Sequence, residues 1–252
     1  MLALYQDVWI RTNHSAQDAN VVNEVLVHDG YRVQSNRPTL GDESEVVVDV
    51  GAHIGTFALL WHRRNPRAKI VCVEACPENI PVLRKNVGGF ATVIDAACTY
   101  IEEDVALYNS VMDGGFATGG SVVAPRTEVL ASPIGSGHWS DSRPLRRVTL
   151  EEIMKLASVE YIDVLKLDCE GSEYSILGKT PSFARLSFIV GEYHGEERWN
   201  VFVQEHFKDW RYWVASRNPG FGTIGIFHLE NPESVYLSGV RPKERRGVPP
   251  KI

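Results

Sequence analysis

The sequence lacks the features that mark membrane proteins and disulfide-rich proteins. No apolar run reaches the ~18 residues of a membrane-spanning helix, so we expect no membrane span. The N-terminus has no basic stretch followed by a long apolar one, which predicts no signal peptide and a cytoplasmic location. None of the four cysteines forms a C-x-x-C pair, which favours free thiols over a zinc site or a disulfide framework: Cys72, Cys76, Cys98 and Cys169.

An excess of positive charge is also missing. The chain has 26 Lys and Arg against 32 Asp and Glu, for a formal net charge of −6. Because proteins that bind nucleic acids neutralise phosphates with basic side chains, we predict no nucleic-acid partner. With 252 residues, 44% of them hydrophobic, the chain is long enough for one large α/β domain with a substantial core.

What the sequence does contain is a strand, a glycine turn and a helix start in immediate succession. The β-branched run from Val46 to Val50 predicts a buried strand. Gly51 and Gly55 remove side chains where the backbone turns sharply or lets a ligand come close. An apolar segment from Phe57 to Trp61 then begins a helix. In open α/β sheets such a corner binds small molecules; the alternative is a tight turn without a ligand.

An acidic residue, Glu74, follows the next apolar run, Lys69 to Val73. At the end of a second strand, a carboxylate can accept hydrogen bonds from both hydroxyls of a ribose. The dinucleotide pattern G-x-G-x-x-G is absent, because Gly51 is followed by Ala52 and His53. This spacing favours a nucleoside without a pyrophosphate, and S-adenosylmethionine is the candidate.

Strand-like and helix-like segments alternate along the chain. Strands are predicted over residues 31–33, 46–50, 69–74, 91–97, 105–108, 161–168 and 186–194. Helices are predicted over residues 16–28, from residue 57 onward, and over 76–86, 149–156 and 169–177. Gly30, Gly88 and Gly178 are expected to end the first, third and fifth of these helices, and a capping box is expected to start the fourth. Segments 209–215 and 224–229 predict an antiparallel hairpin. The fold class is therefore α/β, a doubly wound and mostly parallel sheet with a C-terminal antiparallel hairpin.

The chain divides into three parts by composition. Residues 1–40 form an N-terminal extension whose helix either covers the ligand pocket or packs at an edge. Residues 41–235 form the main domain, with an insert rich in glycine and proline at 110–145. Long loops of this kind are often functional lids, and His138 and Trp139 are its candidate substrate contacts. Residues 236–252 form a basic, proline-rich tail.

The predicted strands end in polar residues, where ligands bind in such sheets. Asp168 and His194 are candidate general bases for the proton of an acceptor hydroxyl, and Glu192 lies beside them. For His194 the alternative is an ordinary strand-end histidine. Glu170 and Glu173 can instead complement a helix dipole. A divalent metal on Asp168, Glu192 and His194 is a further alternative that we do not favour.

Two segments together resemble the FkbM-type methyltransferases. These are Val48 to Gly55 and Leu165 to Leu177, within a similarity that extends from Glu24 to His194. The resemblance implies a Rossmann-like class I fold and S-adenosylmethionine as the methyl donor. It further implies O-methylation of a small hydroxylated acceptor, such as a natural product, a sugar or a lipid-like molecule.

The resemblance also implies cofactor contacts at Asp49, Gly51, Gly55 and Glu74, with Asp168 facing the transfer site. His53 departs from the family pattern, which usually has asparagine, but both residues tolerate a left-handed backbone. Ala96 and Ala97 are small enough to leave space for an adenine ring, or simply for close packing. The full set of candidate cofactor-binding residues is Asp49, Gly51, Ala52, His53, Gly55, Thr56, Glu74, Ala75, Asp95, Ala96 and Asp168.

Alternative functions are an N-methyltransferase, a nucleotide-dependent oxidoreductase and a non-catalytic nucleoside-binding or scaffold protein. The missing G-x-G-x-x-G disfavours the oxidoreductase. Cofactor binding without turnover would indicate the scaffold.

Overall fold

A computed structural model describes residues 1–36, 39, 45–100, 108–111, 120–121, 138–139, 145–169, 171–181, 183–217 and 224–234. Most of the predicted strand 105–108, most of the 110–145 insert, Glu170 and the basic tail lie outside these residues. None of the helices in the described ranges is long and apolar enough to cross a membrane.

Strands and helices alternate through most of the described chain. The strands are β1 (Leu2–Tyr5), β2 (Val8–Arg11), β3 (Val46–Val50), β4 (Lys69–Glu74), β5 (Ala91–Asp95), β6 (Ala97–Cys98), β7 (Tyr108–Val111), β8 (Gly120–Ser121), β9 (His138–Trp139), β10 (Arg147–Val148), β11 (Ile162–Leu167), β12 (Leu186–His194), β13 (Arg211–Arg217) and β14 (Ile224–Glu230). The helices are α1 (Ser15–Val22), α2 (Val33–Asn36), α3 (Thr56–Arg64), α4 (Ile80–Val87), α5 (Leu150–Leu156), α6 (Glu173–Lys179) and α7 (Glu196–His206).

A seven-stranded sheet has the order β13-β14-β12-β11-β3-β4-β5. The strands from β12 to β5 run parallel, and β14 and β13 add the antiparallel hairpin. The predicted fold class is therefore confirmed. From β3 the chain moves outward through β4 and β5, then returns to the other side of β3 as β11. In a sheet of this kind, the crevice where the strand order reverses is the ligand site.

The core forms a layer on each face of the sheet because successive strand residues point to opposite faces. Val46, Val48 and Val50 pack in one layer with Leu165 and Ile189. Val47 packs in the other layer with the buried aromatic residues of α3. The cysteines are free thiols, as predicted.

The N-terminal segment, residues 1–36, packs beside the sheet. Its hairpin β1–β2 docks on α4 through Asn86, whose side chain accepts from Trp9 N at 2.8 Å and donates to Ile54 O at 2.7 Å. The predicted helix 16–28 forms as α1, and a π-helical turn, Asn23–Val27, continues it.

Two local predictions in this segment are wrong. The left-handed residue after the helix is Asp29, with φ of 50°, and not Gly30. Tyr31 to Val33 is not a strand, because the Asp29 carboxylate accepts from Val33 N and Gln34 N and starts α2 there.

Other boundaries also differ from prediction. α4 begins at Ile80 rather than at Cys76, although it ends before Gly88 as expected. The predicted strand 91–97 is two strands, β5 and β6. Gly178 lies inside α6 rather than ending it, and the chain leaves the helix at Thr180. The capping box at Thr149 and Glu152 is present as predicted.

Candidate active site

A pocket lies at the carboxyl ends of β3, β4 and β11, at the reversal of strand order. The N-terminal segment covers part of it, through Val21, Val25 and Tyr31. Eight of the predicted site residues line it: Gly51, Ala52, His53, Thr56, Glu74, Ala75, Ala96 and Asp168. Five others lie outside its lining: Asp49, Gly55, Asp95, Glu192 and His194.

The glycines of the bend after β3 are required by the protein's own packing. Gly51 has φ of +74°, and a Cβ there would lie 1.8 Å from the carbonyl oxygen of Asp168. Gly55 has φ of +92°, and its Cβ would lie 2.6 Å from Val87 Cγ1. Gly51 thus lets β3 approach the end of β11, and Gly55 lets α3 start against α4. Close packing and the left-handed backbone therefore require glycine at both positions.

Glu74 ties the bend to the end of β4. Its Oε2 accepts from His53 N at 2.7 Å, and its Oε1 accepts from Cys76 N at 2.8 Å and from Asn79 Nδ2 at 3.0 Å. A carboxylate has about four acceptor positions, so one is left. Glu74 can therefore accept from one ribose hydroxyl in good geometry, rather than from two. Burial raises the pKa of Glu74, although these donors oppose that effect.

Arg11 joins the N-terminal segment to the same corner. Its guanidinium pairs with Asp18 through Nε at 3.0 Å and through Nη2 at 2.5 Å. It also donates to Asn79 Oδ1 and, from Nη2, contacts His53 Nε2 at 2.8 Å. Arg11 and Asp18 are 4% and 0% exposed, so this is a buried ion pair. Its loss would leave a charge in the protein interior.

Lys166 is the buried cation beneath the pocket. Its Nζ lies 3.1 Å from Asp49 Oδ1, donates to Gly51 O at 2.6 Å, and lies 4.0 Å from Asp168 Oδ2. Burial by itself would lower the pKa of Lys166, but the attraction of the two aspartates outweighs it and the net direction is upward. Lys166 is therefore charged, and it neutralises Asp49, which is fully buried.

Asp168 is the carboxylate that reaches the pocket from β11. Its Oδ2 accepts from Tyr31 OH at 2.6 Å, and its side chain remains 26% exposed. Burial and the charge of Asp168 raise the pKa of Tyr31 well above its usual value, so the phenol keeps its proton and acts as a donor. Among the described residues, Asp168 Oδ1 accepts no hydrogen bond, and it is free to receive one from a ligand.

Glu192 and His194 lie at the end of β12, outside the pocket lining. His194 Nδ1 is 3.7 Å from Glu173 Oε1, and its Nε2 is 3.8 Å from Glu192 Oε2. Glu173 accepts from Cys169 N at 2.8 Å and from Gly171 N at 2.9 Å, so it holds the turn before α6. Within the described ranges, no three His, Cys, Asp or Glu residues are grouped to hold a metal.

A family model of the FkbM methyltransferase domain matches residues 49–221. The chain belongs to the FkbM methyltransferase family. The resemblance drawn from the two sequence segments is thereby confirmed, and S-adenosylmethionine is the methyl donor that membership implies. The N-terminal segment, with Arg11 and Tyr31, precedes the matched residues.

Solved methyltransferases show weak similarity to this FkbM protein. Fibrillarin from Aeropyrum pernix is 12% identical, with 91% of this chain and 81% of fibrillarin covered and a TM-score of 0.47. Precorrin-6y C5,15-methyltransferase from Geobacter metallireducens is 13% identical, with 90% and 92% covered and a TM-score of 0.43. An RNA methyltransferase from Salinibacter ruber is 14% identical, with 85% and 92% covered and a TM-score of 0.40. A search of curated protein sequences finds no match.

Sequence reasoning missed four residues of this FkbM site: Arg11, Tyr31, Asn79 and Lys166. Only Lys166 had a visible signal, because a lysine inside an apolar strand needs a buried partner. The other three reach the site through the fold, and Arg11 meets Asn79 across 68 positions of sequence.

Acid should destabilise this protein partly through His53. Burial and the neighbouring Arg11 lower the pKa of His53 from 6.5 to about 4, against the opposing effect of Asp18. Below about pH 6.5 the unfolded chain binds a proton at His53 that the folded chain does not bind. The free energy of unfolding therefore falls as the pH drops from about 6.5 to about 4. Between pH 6.5 and about pH 4, the free energy of unfolding of the His53→Gly variant should therefore fall by about 3 kcal/mol less than that of the wild type. Urea unfolding across that range measures both proteins. Identical pH slopes in the two proteins would contradict this.

Proposed function

We propose that this FkbM protein transfers the methyl group of S-adenosylmethionine to a hydroxyl of a small natural-product, sugar or lipid-like acceptor. The observation that carries the proposal is Asp168, which lines the pocket together with Glu74 and whose Oδ2 accepts a hydrogen bond from Tyr31 OH at 2.6 Å. In this proposal Asp168 takes the proton of the acceptor, and Glu74 accepts a hydrogen bond from a ribose hydroxyl.

The pocket residues fit S-adenosylmethionine. Val50, Val73 and Ala96 provide apolar and small side chains on which an adenine can pack. Glu74 retains one acceptor position for a ribose hydroxyl, and Asp168 places negative charge in the site that receives a cationic sulfonium. Glu74 and Asp168 would hold the cofactor at the ribose and at the methyl-bearing end.

The residues of the chain supply positioning and proton transfer. S-adenosylmethionine, when bound, supplies an electrophilic methyl group on a cationic sulfur. Asp168 Oδ1 would accept the proton of the acceptor hydroxyl, so that the hydroxyl oxygen could take up the methyl group that the cofactor supplies. Tyr31 fixes the carboxylate in place, so the hydroxyl is oriented toward the methyl group. Lys166 Nζ lies 4.0 Å from Asp168 Oδ2 and places a positive charge beside this carboxylate.

A turnover assay with paired acceptors tests this proposal. The purified protein is incubated with methyl-labelled S-adenosylmethionine and matched pairs of small acceptors that differ only in a hydroxyl or an amine. We expect label in the hydroxyl compounds, with a mass increase of one methylene. Label in the amines alone would favour N-methylation, and cofactor binding without any labelled product would favour a scaffold.

Glu74→Gln should weaken binding of S-adenosylhomocysteine by about 1.5–3 kcal/mol, roughly 10- to 150-fold, because a charged acceptor is lost. Isothermal titration calorimetry measures the effect. Asp95→Asn is the matched control, since Asp95 pairs with Glu74 in register but is exposed and lies outside the pocket lining. Equal affinity of the two variants would remove Glu74 from the cofactor site.

A further inference from the structure

The imidazole nitrogen Nδ1 of His53 makes no hydrogen bond within the described residues. His53 lines the pocket, and its Nδ1 is buried. An unpaired buried donor or acceptor is costly, so native proteins rarely keep one without a use.

The contacts of Arg11 decide which nitrogen of His53 carries the proton. Arginine only donates, and both hydrogens of Nη2 are committed, one to Asp18 Oδ1 at 2.5 Å and one to His53 Nε2 at 2.8 Å. His53 Nε2 must therefore present its lone pair, because two N–H donors cannot face each other at that distance. A neutral imidazole with a bare Nε2 carries its proton on Nδ1. The lowered pKa of His53 agrees with a neutral ring.

The orientation of the Arg11 guanidinium is itself fixed. Asp18 binds it through both oxygens, and Asn79 Oδ1 accepts from Nη1. Asn79 in turn donates to Glu74 Oε1, and His53 N donates to Glu74 Oε2. The imidazole of His53 is thus attached through its own backbone to the carboxylate that retains one acceptor position.

We propose that Arg11 holds His53 in the tautomer protonated on Nδ1, and that this N–H donates a hydrogen bond to a ribose hydroxyl of the bound cofactor. The same hydroxyl donates its own hydrogen bond to Glu74. The inference rests on the proposed function, since it assigns a second partner to the same ligand. A ribose hydroxyl suits this pair because it accepts and donates at once. Arg11 is a positioning residue here, and His53 is a binding residue.

The direct test reads the tautomer of His53 by nitrogen-15 NMR of histidine-labelled protein. The His53→Gly variant identifies the signal by its absence. Glycine is the matched replacement because His53 has φ of 51°, which glycine adopts without strain, and the backbone N–H to Glu74 is kept. We expect Nδ1 protonated and Nε2 bare in the wild type. The opposite tautomer would overturn the inference.

Calorimetry supplies the second readout, with S-adenosylhomocysteine and its 2′-deoxy and 3′-deoxy analogues as probes. His53→Gly should weaken binding of S-adenosylhomocysteine about 2- to 12-fold, the range for one neutral hydrogen bond. The deoxy analogue that lacks the hydroxyl contacted by His53 should lose less affinity for the variant than for the wild type. The two losses should differ by the same factor. A variant that binds all three probes as the wild type does would overturn the inference.

Arg11→Met tests the locking step. We expect the Nδ1-protonated fraction of His53 to fall, and the losses in affinity from Arg11→Met and His53→Gly to be non-additive. Additive losses with an unchanged tautomer would overturn the role of Arg11. Because Arg11 is buried with Asp18, its variant can fail to fold, and the wild-type spectra and His53→Gly then carry the test. Absence of any S-adenosylhomocysteine binding to the wild type would instead overturn the proposed function.

Discussion

Asp168→Asn should lower kcat by about 10²- to 10⁴-fold, the usual contribution of a positioned general base. An amide cannot take the proton of the acceptor hydroxyl, but its oxygen can still accept from Tyr31 OH, which lies 2.6 Å from Asp168 Oδ2. The geometry of the pocket should therefore survive. Affinity for S-adenosylhomocysteine, measured by calorimetry, should change only a few-fold.

Tyr31→Phe is the matched control for this experiment. It removes the hydrogen bond that orients the carboxylate and keeps the base itself, so its effect on kcat should be clearly smaller. If Asp168→Asn weakens S-adenosylhomocysteine binding as much as it slows turnover, Asp168 is a binding residue only. If it leaves kcat unchanged, the base lies elsewhere, and His194 is the next candidate.

Lys166→Met should lower the free energy of unfolding by about 3–5 kcal/mol, measured by urea denaturation. The reason is Asp49, which is fully buried and lies 3.1 Å from Lys166 Nζ. Without its cation this carboxylate is an isolated charge in the interior, or it must take up a proton. The carbonyl oxygen of Gly51 also loses a donor at 2.6 Å, so the bend loosens as well.

The double variant Asp49→Asn with Lys166→Met separates charge from packing. Because replacing both members of a buried ion pair is often nearly neutral, the double variant should recover much of the stability that the single change loses. A double variant that recovers none of the stability lost in Lys166→Met would show that the lysine stem and its hydrogen bond to Gly51 O, rather than the unpaired charge of Asp49, account for the loss.

The backbone framework could be read from the sequence because its causes are local. Apolar β-branched runs mark β3, β4, β11 and β12, and Thr149 with Glu152 marks a helix start within a few residues. Errors arose where a side chain overrode local propensity. Asp29 starts α2 where a strand was expected, and Gly178 stays helical inside α6.

The polar network of the site could not be read in this way. Arg11 and Tyr31 lie in a segment without a motif, and only the tertiary packing of that segment brings them to Asn79 and Asp168. Asp49 is a different case. Its position beside the glycine bend predicts a ligand contact, and the structure places it outside the pocket lining, 3.1 Å from Lys166 Nζ. Whether an acidic side chain at the end of a strand points into the pocket or into the core depends on its neighbours on the adjacent strands.

The contact between His228 and Tyr31 has a consequence for biosynthesis. His228 Nε2 donates to Tyr31 O at 2.7 Å, across 197 positions of sequence. A ribosome makes Tyr31 early and His228 late, so the loop that carries the phenol to Asp168 gains this anchor only when β14 emerges and pairs with β12. The nascent chain therefore cannot anchor this loop until β14 has been made, so the position of Tyr31 is fixed only after all the parallel strands of the sheet have left the ribosome.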